Sequence, residues 1–474
     1  MAKIKKAWFC TACGNESPKW MGKCPACGEW NSMVEEIVNK SPDNSSLTSR
    51  AQSFLQSAGN TKPQPLPQIE SGQESRIILG AGMDNLSGRG NALCCGGNEL
   101  DRVLGGGMVK GSLVLIGGEP GIGKSTLSLQ IPLMNNGLRT LYVSGEESAK
   151  QIKMRAERLG GVHENCLVLS ETLLENILNE ARNTQPQLLI IDSIQTIYSQ
   201  NIESSAGSVS QVRECAASLL RYAKETGTPV ILIGHITKDG TIAGPKVLEH
   251  IVDVVLQFEG DTRHAYRILR SIKNRFGSTA ELAVYQMCSD GLKEVLNPSE
   301  MFIPMHGENL SGIAVAAMLD GSRPFLIEVQ ALVSTAAYGT PQRSATGFDV
   351  RRMNMLLAVL EKRVGFKLSQ KDVFLNIAGG LKVADPACDM AIVAAILSSN
   401  FDENIPAGYA FAGEIGLSGE IRPVSQIEKR IAEAAKLGME KIFVSAFNKP
   451  QGKPYKGLQV VQVSTVAELV KQIF

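Results

Sequence analysis

The segment GEPGIGKS at residues 118–125 follows the apolar run LVLI at 113–116 and precedes a stretch with helical periodicity. It fits the pattern G-x-x-x-x-G-K-[ST], whose glycines let successive backbone N–H groups face phosphate oxygens while the next helix adds its positive N-terminal end. The strand before it and the helix after it argue against a chance match. We therefore expect a nucleotide-binding α/β fold that uses ATP, held by Gly118, Glu119, Pro120, Gly121, Ile122, Gly123, Lys124, Ser125 and Thr126.

Short apolar runs alternate with amphipathic stretches on both sides of this segment. The runs have the length of buried parallel strands, and the stretches between them have helical spacing. This alternation predicts a parallel sheet covered by helices on both faces. The predicted strands lie at 113–116, 141–143, 188–191 and 230–233, and the predicted helices at 124–133, 148–159, 173–182 and 209–225.

Three acids follow predicted strands, where an open α/β sheet binds its ligand. Lys124 is expected to contact the β and γ phosphates and Ser125 to bind Mg²⁺. Asp192, directly after the run 188–191, is predicted to be the carboxylate on the Mg²⁺ side. Of the two acids that follow the run 141–145, we favour Glu146 as the base that polarises the attacking water, with Glu147 exposed or contacting a partner.

His235 ends the predicted strand at 230–234, at the same edge of the sheet. A histidine there can sense the γ-phosphate through a hydrogen bond, and it can equally be a satisfied structural residue. The residues alone leave the two alternatives open.

Composition excludes some classes of protein. The chain has 474 residues, so two or three domains are expected. Its net charge of +1 excludes a uniformly basic coat for nucleic acid, although not a local basic channel. Its longest apolar runs fall short of the roughly 20 residues that span a bilayer. The basic N-terminus leads into no apolar stretch of secretory length, so no membrane helix and a cytoplasmic location are expected.

Four of the ten cysteines form two CxxC pairs near the N-terminus. Four thiolates at this spacing can close a tetrahedron around Zn²⁺, and metal binding supplies the folding energy that so small a segment lacks. A redox pair is the alternative, but it would need only one CxxC at the start of a helix. We expect a structural zinc site formed by Cys10, Cys13, Cys24 and Cys27.

Changes in composition divide the chain. Residues 1–35 are predicted to be a four-Cys zinc finger. The polar segment 36–76 is predicted to be a flexible linker, because it cannot bury enough apolar surface to offset chain entropy. An ATPase domain is expected over 77–297 and a second α/β domain over 298–474.

Three further stretches give the chain a family resemblance. They are GNELDRVLGGG at 97–107, YVSGEES at 142–148 and KNRFG at 273–277. With the CxxC pairs, they make the chain similar to the bacterial RadA (Sms) family of DNA repair proteins over essentially its whole length. The resemblance implies a zinc module, a RecA-like P-loop ATPase core and a Lon-protease-like domain. It also implies a hexameric ring that promotes branch migration of recombination intermediates together with the RecA recombinase.

The resemblance also suggests roles for particular residues. His235 takes the position of the γ-phosphate sensor. The segment 237–246, with Lys238 and Lys246, matches the second DNA-facing loop of the class, and 201–210 matches the first. Both read equally as surface loops. Neither has an aromatic platform, so contacts to the backbone of single-stranded and branched DNA without sequence preference are expected.

Lys273 and Arg275 lie one residue apart on a predicted extended segment, which places them on the same side. In a ring, such a pair can reach the phosphates bound by the neighbouring subunit and stabilise the charge that develops during transfer. The alternative is that both side chains are solvated or contact acids of their own subunit.

The C-terminal domain departs from the proteases that it resembles. Ala387 stands where the Lon motif has its serine, and Glu428 stands where it has its lysine base. Without a Ser-Lys dyad no acyl-enzyme forms by that route, unless Cys388 or Ser425 acts with Lys429. We interpret the domain as a scaffold of the ring. A DNA-contacting surface on it would include Arg343, Arg351, Arg352 or Lys362, which read equally as a solvated face.

Three functions therefore compete. The leading one is a DNA-dependent ATPase that acts on recombination junctions. The second is an ATP-gated protease or peptide-handling ring, which the missing dyad disfavours. The third is an autokinase or a nucleotide-switched scaffold. Stimulation of phosphate release by single-stranded DNA separates the first function from the other two.

Overall fold

The computed structural model describes most of the chain, in two compact units that comprise residues 1–294 and 295–474. The predicted linker falls outside the described residues over 39–75. The described residues are 5–10, 15–38, 76–79, 98–235, 247–260, 266–295, 297–299, 303, 310–336, 341–380, 382–450 and 455–474. No helix in these ranges is both long and apolar enough to cross a membrane.

The cysteine-rich segment forms a small antiparallel sheet of three strands. Strand β1 (Lys5–Cys10) pairs with β2 (Glu16–Ser17) on one side and with β3 (Met33–Val38) on the other. Among the residues of this segment that the structure describes, the apolar cluster consists of Cys10, Cys24 and Met33, with Trp8 packed against it. So little burial cannot fold the segment by itself, which is the situation in which a metal supplies the missing energy.

A nine-stranded sheet is the centre of the first unit, in the order β14-β13-β12-β11-β6-β10-β9-β7-β8. The strands from β11 to β8 are parallel, as the alternation in the sequence predicted. They are β6 (Leu113–Gly118), β7 (Thr140–Ser144), β8 (Cys166–Ser170), β9 (Leu188–Asp192), β10 (Val230–His235) and β11 (Val254–Glu259). A small separate ladder joins β4 (Arg76–Ile77) to β5 (Met108–Val109).

The sheet has a second, antiparallel part, of which the sequence analysis predicted only the extended segment that carries Lys273. Strands β12 (Tyr266–Asn274), β13 (Leu282–Cys288) and β14 (Gly291–Glu294) continue it beyond β11. Lys273 is therefore the penultimate residue of a long strand that is hydrogen-bonded to β11.

Alternate side chains of the parallel strands pack on opposite faces of the sheet. Val114 and Ile116 belong to one apolar cluster, and Leu113 and Leu115 belong to the other. Since the central strands are buried on both faces, their sequences read as continuous apolar runs. The helices of this unit are α1 (Asn98–Leu104), α2 (Lys124–Met134), α3 (Ala149–Arg158), α4 (Leu174–Thr184), α5 (Val209–Thr226) and α6 (Val247–Ile251).

The second unit is built on a mixed sheet of seven strands, in the order β17-β18-β16-β15-β19-β22-β23. The strands of this unit are β15 (Ile313–Asp320), β16 (Arg323–Thr335), β17 (Arg343–Thr346), β18 (Lys371–Ile377), β19 (Tyr409–Ala412), β20 (Glu414–Ile415), β21 (Ile421–Arg422), β22 (Lys441–Ser445) and β23 (Gln459–Val463). Strands β20 and β21 form a separate hairpin. The helices are α7 (Val350–Val359), continued by a π-helical turn (Leu360–Val364), α8 (Asp389–Phe401), α9 (Ile427–Lys436) and α10 (Val466–Ile473).

Candidate nucleotide and zinc sites

The predicted phosphate-binding segment, residues 118–125, connects β6 to α2 at the carboxyl edge of the parallel strands. Gly123 is the N-cap of α2, with a φ of 120°, in the left-handed region that favours glycine. A Cβ at this position would lie 3.0 Å from the Met287 side chain and 3.2 Å from that of Leu292. The turn therefore requires glycine for its backbone conformation and also for its close packing against β13 and β14.

Lys124 is the first residue of α2, and its side chain turns back over the loop. The ammonium group donates hydrogen bonds to the Gly118 carbonyl at 2.8 Å and the Glu119 carbonyl at 2.9 Å. Burial lowers the pKa of Lys124 from 10.5 to about 8, although the nearby carboxylates of Asp192 and Glu146 oppose the shift. The loop thus holds a buried cation directly beneath its own backbone. Ser125 and Thr126, the next residues of α2, are half-buried.

Asp192 is the last residue of β9, and its side chain is almost completely buried. Its carboxylate accepts a hydrogen bond from the Tyr142 hydroxyl at 2.5 Å, from the neighbouring strand β7. The guanidinium of Arg155 lies 3.8 Å from the same carboxylate oxygen, Oδ2. The structure therefore places Asp192 at the edge where the sequence predicts it. It adds two partners, Tyr142 and Arg155, that the sequence analysis did not single out.

The two glutamates after β7 have different surroundings. Glu146 accepts a hydrogen bond from the Ser193 hydroxyl at 2.6 Å, and about half of its side chain is exposed. Glu147 forms an ion pair with Arg155, with an oxygen to nitrogen distance of 2.8 Å. The loop is closely packed at Gly145, where a Cβ would lie 2.8 Å from the Cβ of Thr196. Only Glu146 faces the residue that follows Asp192.

His235 is the last residue of β10 and pairs in register with Gly118, the first residue of the phosphate-binding segment. Its Nε2 lies 3.5 Å from the Glu146 carboxylate. The carboxyl edge of the sheet therefore brings together Lys124, Glu146, Asp192 and His235, from four elements that are separate in sequence. The cluster also includes Ser193, which the sequence analysis did not name and which the position after an acid at a strand end could have indicated.

Lys273 and Arg275 contact their own chain. The ammonium group of Lys273 donates hydrogen bonds to the carbonyls of Glu249 and, at 2.7 Å, of Val252, at the end of α6. The Arg275 guanidinium lies 3.6 Å from the Asp253 carboxylate but remains more than half exposed. Burial, with the neighbouring charge of Arg275 as a smaller cause, lowers the pKa of Lys273 from its ordinary value. Within one subunit, both side chains therefore contact groups of their own chain, as in the second of the two alternatives given for Lys273 and Arg275.

The two segments that the family resemblance assigns to DNA differ in what can be described. Lys238 and Lys246 lie outside the described residues. The other segment, 201–210, is organised by Gln211 at the start of α5, whose side-chain amide donates to the carbonyls of Ser199, Ile202 and Ser204. Its loop is therefore held in a defined shape, in which the hydroxyls of Ser204, Ser208 and Ser210 also hydrogen-bond to one another.

The cysteine cluster in the cysteine-rich N-terminal segment has the dimensions of a metal site. The sulfur atoms of Cys10, Cys24 and Cys27 all lie within 4.8 Å of one another, and those of Cys10 and Cys27 are 3.6 Å apart. Tetrahedral Zn²⁺ with Zn–S bonds of about 2.3 Å requires sulfur atoms about 3.8 Å apart. These three thiols fit such an ion. Cys13, the fourth predicted ligand, lies outside the described residues.

In the second unit, the two nucleophiles considered in place of the absent serine differ in burial: Cys388 is buried, whereas Ser425 is exposed. Ala387 and Cys388 are completely buried, and burial raises the pKa of the Cys388 thiol far above its usual range. Lys429 donates to the Ser322 carbonyl at 3.2 Å. The fully buried Arg430 donates to the Asp385 carboxylate at 2.6 Å, so a largely buried ion pair lies two residues before Ala387 in sequence.

The basic residues considered for DNA contact in this unit do not share one environment. Arg352 forms a two-point hydrogen bond to the buried Asp389, at 2.8 and 2.6 Å. Arg343 donates to Asn354 at 3.1 Å. Arg351 and Lys362 are exposed. Only the last two have side chains open to a phosphate backbone.

Three protein-family profiles match the chain. They describe an AAA domain over residues 95–241, a rubredoxin metal binding domain over residues 8–35, and subunit ChlI of Mg-chelatase over residues 332–448. The first match covers the phosphate-binding segment with Glu146, Asp192 and His235. The second covers all four cysteines of the predicted zinc site. The matches support an ATPase core and a metal-binding N-terminal segment.

Relatives are similar over their full length. The chain is 48% identical to the DNA repair protein RadA of Bacillus subtilis, with 99% of each chain covered. It is 47% identical to the DNA repair protein RadA of Halalkalibacterium halodurans, again with 99% of each chain covered. Among solved structures, a KaiC-like protein from Pyrococcus horikoshii is 21% identical, with a TM-score of 0.36, over 43% of this chain and 99% of that chain.

Proposed function

The chain belongs to the RadA family of DNA repair proteins, and we propose that it is a DNA-dependent ATPase that promotes branch migration and processing of recombination intermediates together with RecA. The observation that carries the proposal is the cluster at the carboxyl edge of the sheet. A buried cation, two carboxylates in different environments and a histidine converge there on one phosphate-binding loop.

The loop is suited to a nucleoside triphosphate. Its glycine turn and the start of α2 present backbone N–H groups, and Lys124 supplies a positive charge that is already desolvated. We assign Lys124 to the β and γ phosphates. Mg²⁺ would be held by Ser125 and Asp192, and when bound it neutralises charge on the β and γ oxygens. The carboxylate of Asp192 and a hydroxyl at the start of α2 are hard oxygen ligands of the kind that Mg²⁺ prefers.

Glu146 is the proposed general base. Its carboxylate is partly open to water and is fixed by the hydroxyl of Ser193, so it can orient a water molecule and accept a proton from it. Glu147 is unsuited to this role because Arg155 already occupies its carboxylate. His235, near the same Glu146 oxygen, is positioned to report whether the γ-phosphate is present, which is the role that the family resemblance suggests.

The decisive experiment measures phosphate release with and without single-stranded DNA. We expect stimulation by DNA in the wild-type protein and loss of hydrolysis in Lys124→Ala, while the thermal stability of that variant is retained, because the loop lies at the edge of the sheet. DNA-independent turnover in the wild type would favour the switch or autokinase alternative. Wild-type turnover in a folded Lys124→Ala protein would refute the assignment of the site.

We further propose that the active form is a hexameric ring in which Lys273 and Arg275 act on the nucleotide of a neighbouring subunit. The exposed guanidinium of Arg275 supports this, since its ion pair with Asp253 is long and solvated. Arg275→Ala subunits keep an intact phosphate loop, and Lys124→Ala subunits keep an intact guanidinium. Mixed rings should therefore recover hydrolysis that neither variant shows alone. If subunit exchange is demonstrated and mixing restores nothing, the two residues serve their own subunit or DNA.

The remaining parts of the chain receive complementary roles in this proposal. Lys238 and Lys246 contact the phosphate backbone of single-stranded or branched DNA. The zinc module, with Cys10, Cys13, Cys24 and Cys27 as ligands, is a structural site through which RecA is contacted. The C-terminal domain is a scaffold without protease activity, which the buried thiol of Cys388 supports.

A further inference from the structure

Tyr142 is a buried tyrosine whose hydroxyl group reaches the nucleotide site. It lies in β7 between β9 and β8, and its side chain is fully buried. Its hydroxyl donates to Oδ2 of Asp192 at 2.5 Å, at the short end of the range for a hydrogen bond from O–H to a carboxylate. A buried tyrosine stabilises a core mainly through the apolar surface of its ring, so the contact of its hydroxyl with Asp192 requires a separate explanation.

Arg155, in the last turn of α3, fixes the direction of that hydrogen bond. One nitrogen of its guanidinium donates to the Tyr142 hydroxyl oxygen at 3.2 Å. An arginine can only donate, so the hydroxyl accepts from Arg155 and has its own proton left for Asp192.

Glu147 holds the same guanidinium through both of its terminal nitrogens, one of which, Nη2, is also the donor to Tyr142. The two side chains approach at 2.8 Å and 3.2 Å through two different nitrogen and oxygen pairs. The result is one continuous chain of contacts from Glu147 through Arg155 and Tyr142 to Asp192. Glu147 is itself tied to the end of β7, because its backbone N–H donates to the Ser144 hydroxyl at 3.0 Å.

This chain of contacts restricts how the Asp192 carboxylate can turn. Among the described residues, both side-chain contacts found for this carboxylate fall on Oδ2, from Tyr142 and more distantly from Arg155. The carboxylate is therefore held by one oxygen, and the other oxygen, Oδ1, is available to a ligand at the edge of the sheet. Partners behind a metal ligand commonly set its orientation in this way.

We propose that Tyr142 and Arg155 are positioning residues that orient Asp192 toward the Mg²⁺ of the bound nucleotide. This inference rests on the proposed function, because it takes Asp192 as a Mg²⁺ ligand. It also gives Glu147 a role, as the residue that anchors Arg155. The competing explanation is that the hydrogen bonds only satisfy polar groups in the core, in which case their loss would lower stability without any preference for the metal.

The test measures nucleotide affinity with and without the metal. Fluorescent ADP is titrated into the full-length protein with excess Mg²⁺ and, separately, with EDTA, and the ratio of the two dissociation constants gives the contribution of Mg²⁺. In Tyr142→Phe we expect this ratio to fall about tenfold, with binding in EDTA unchanged, because Asp192 loses its fixed orientation while the phosphate loop is intact.

Tyr222→Phe is the matched control. Tyr222 is also a buried tyrosine of the same unit, and its hydroxyl donates to a backbone carbonyl, that of Ala181, at 3.4 Å. Among the described residues, none of the hydrogen bonds of Tyr222 involves Lys124, Glu146 or Asp192. Loss of the Tyr222 hydroxyl should therefore leave the contribution of Mg²⁺ to nucleotide affinity unchanged. An equal loss of affinity with Mg²⁺ and with EDTA in Tyr142→Phe, or no change in either, overturns the proposal.

Arg155→Met provides a second variant if Tyr142→Phe does not fold. It keeps the hydroxyl and removes the charge that directs it, so the Mg²⁺ contribution should fall in the same direction by a smaller factor, about threefold. An unchanged ratio in folded Arg155→Met overturns the role of the guanidinium. Because these measurements need no hydrolysis, they can fail while the wild type still shows DNA-stimulated phosphate release, and the proposed function would then stand alone.

Discussion

Nucleotide binding should draw a proton onto Lys124. Burial holds the pKa of this lysine at about 8 in the protein without nucleotide, well below its ordinary 10.5. Phosphate oxygens beside the ammonium favour its charged form, so the pKa must rise again when ATP binds. The bound state therefore carries more protons than the free state wherever the free lysine is partly neutral.

The size of the effect follows from that pKa. At pH 8, near the pKa of about 8, binding should take up about half a proton, and at pH 7 only about a tenth. Above about pH 8, affinity should fall by up to about tenfold per pH unit. Without nucleotide, the unfolded chain binds more protons than the folded protein between about pH 8 and 10.5, because the lysine has its ordinary pKa only when the chain is unfolded. The free energy of unfolding should therefore rise with pH through that window, as the penalty of the buried charge is relieved.

Isothermal titration calorimetry in buffers with different ionisation enthalpies measures the proton uptake directly. Lys124→Arg is the control, because a guanidinium stays protonated at every pH of the experiment and should show none of the uptake seen at about pH 8. Equal uptake in the wild type and in this variant would assign the proton to another group. An absence of uptake at about pH 8 in the wild type would refute the description of Lys124 as a desolvated cation.

Three further outcomes are expected. Cys24→Ser combined with Cys27→Ser should release zinc, as measured by metal analysis. The fluorescence emission of the tryptophans should also shift, because all three lie in the cysteine-rich segment. A lower melting temperature of the ATPase unit would instead show that this segment is docked on it. Arg430→Met should cost about 3–5 kcal/mol in urea unfolding of the C-terminal unit, because it leaves a carboxylate buried without its partner, whereas Arg422→Met, which removes an exposed ion pair, should cost less than about 1 kcal/mol. Casein should remain uncut with ATP and DNA, and a cleavage product that disappears in Cys388→Ala would restore the protease hypothesis.

The parallel part of the fold could be predicted from the sequence because its strands are buried on both faces. Runs such as 188–191 are continuously apolar, and the observed strands extend them by only one or two residues. The antiparallel part was predicted only as an extended segment around Lys273, and its place in the sheet was not predicted. Tyr266–Asn274 alternates between buried and partly exposed positions and carries Arg267, Arg270 and Lys273, so its apolar content is low although it lies within the sheet.

The candidate site divides in the same way. Residues at strand ends, such as Asp192 and His235, could be placed from sequence because the carboxyl ends of parallel strands meet at one edge. Their partners could not be placed. The contact between Tyr142 and Asp192 depends on the order β7 next to β9, and the pairing of Glu147 with Arg155 depends on the rotation of α3. No local pattern records either arrangement.

The register of strand β10 has a mechanical consequence. Six consecutive residues of β10, from Val230 to His235, are paired with β6, and three of them are also paired with β9. Sliding this strand along its axis would break many hydrogen bonds to β6 and β9 at once, so the strand is held rigidly in its register. His235 is therefore held beside Gly118 by its strand. We expect any response of His235 to a bound phosphate to be a rotation of its side chain, because displacement of the whole strand would cost many hydrogen bonds.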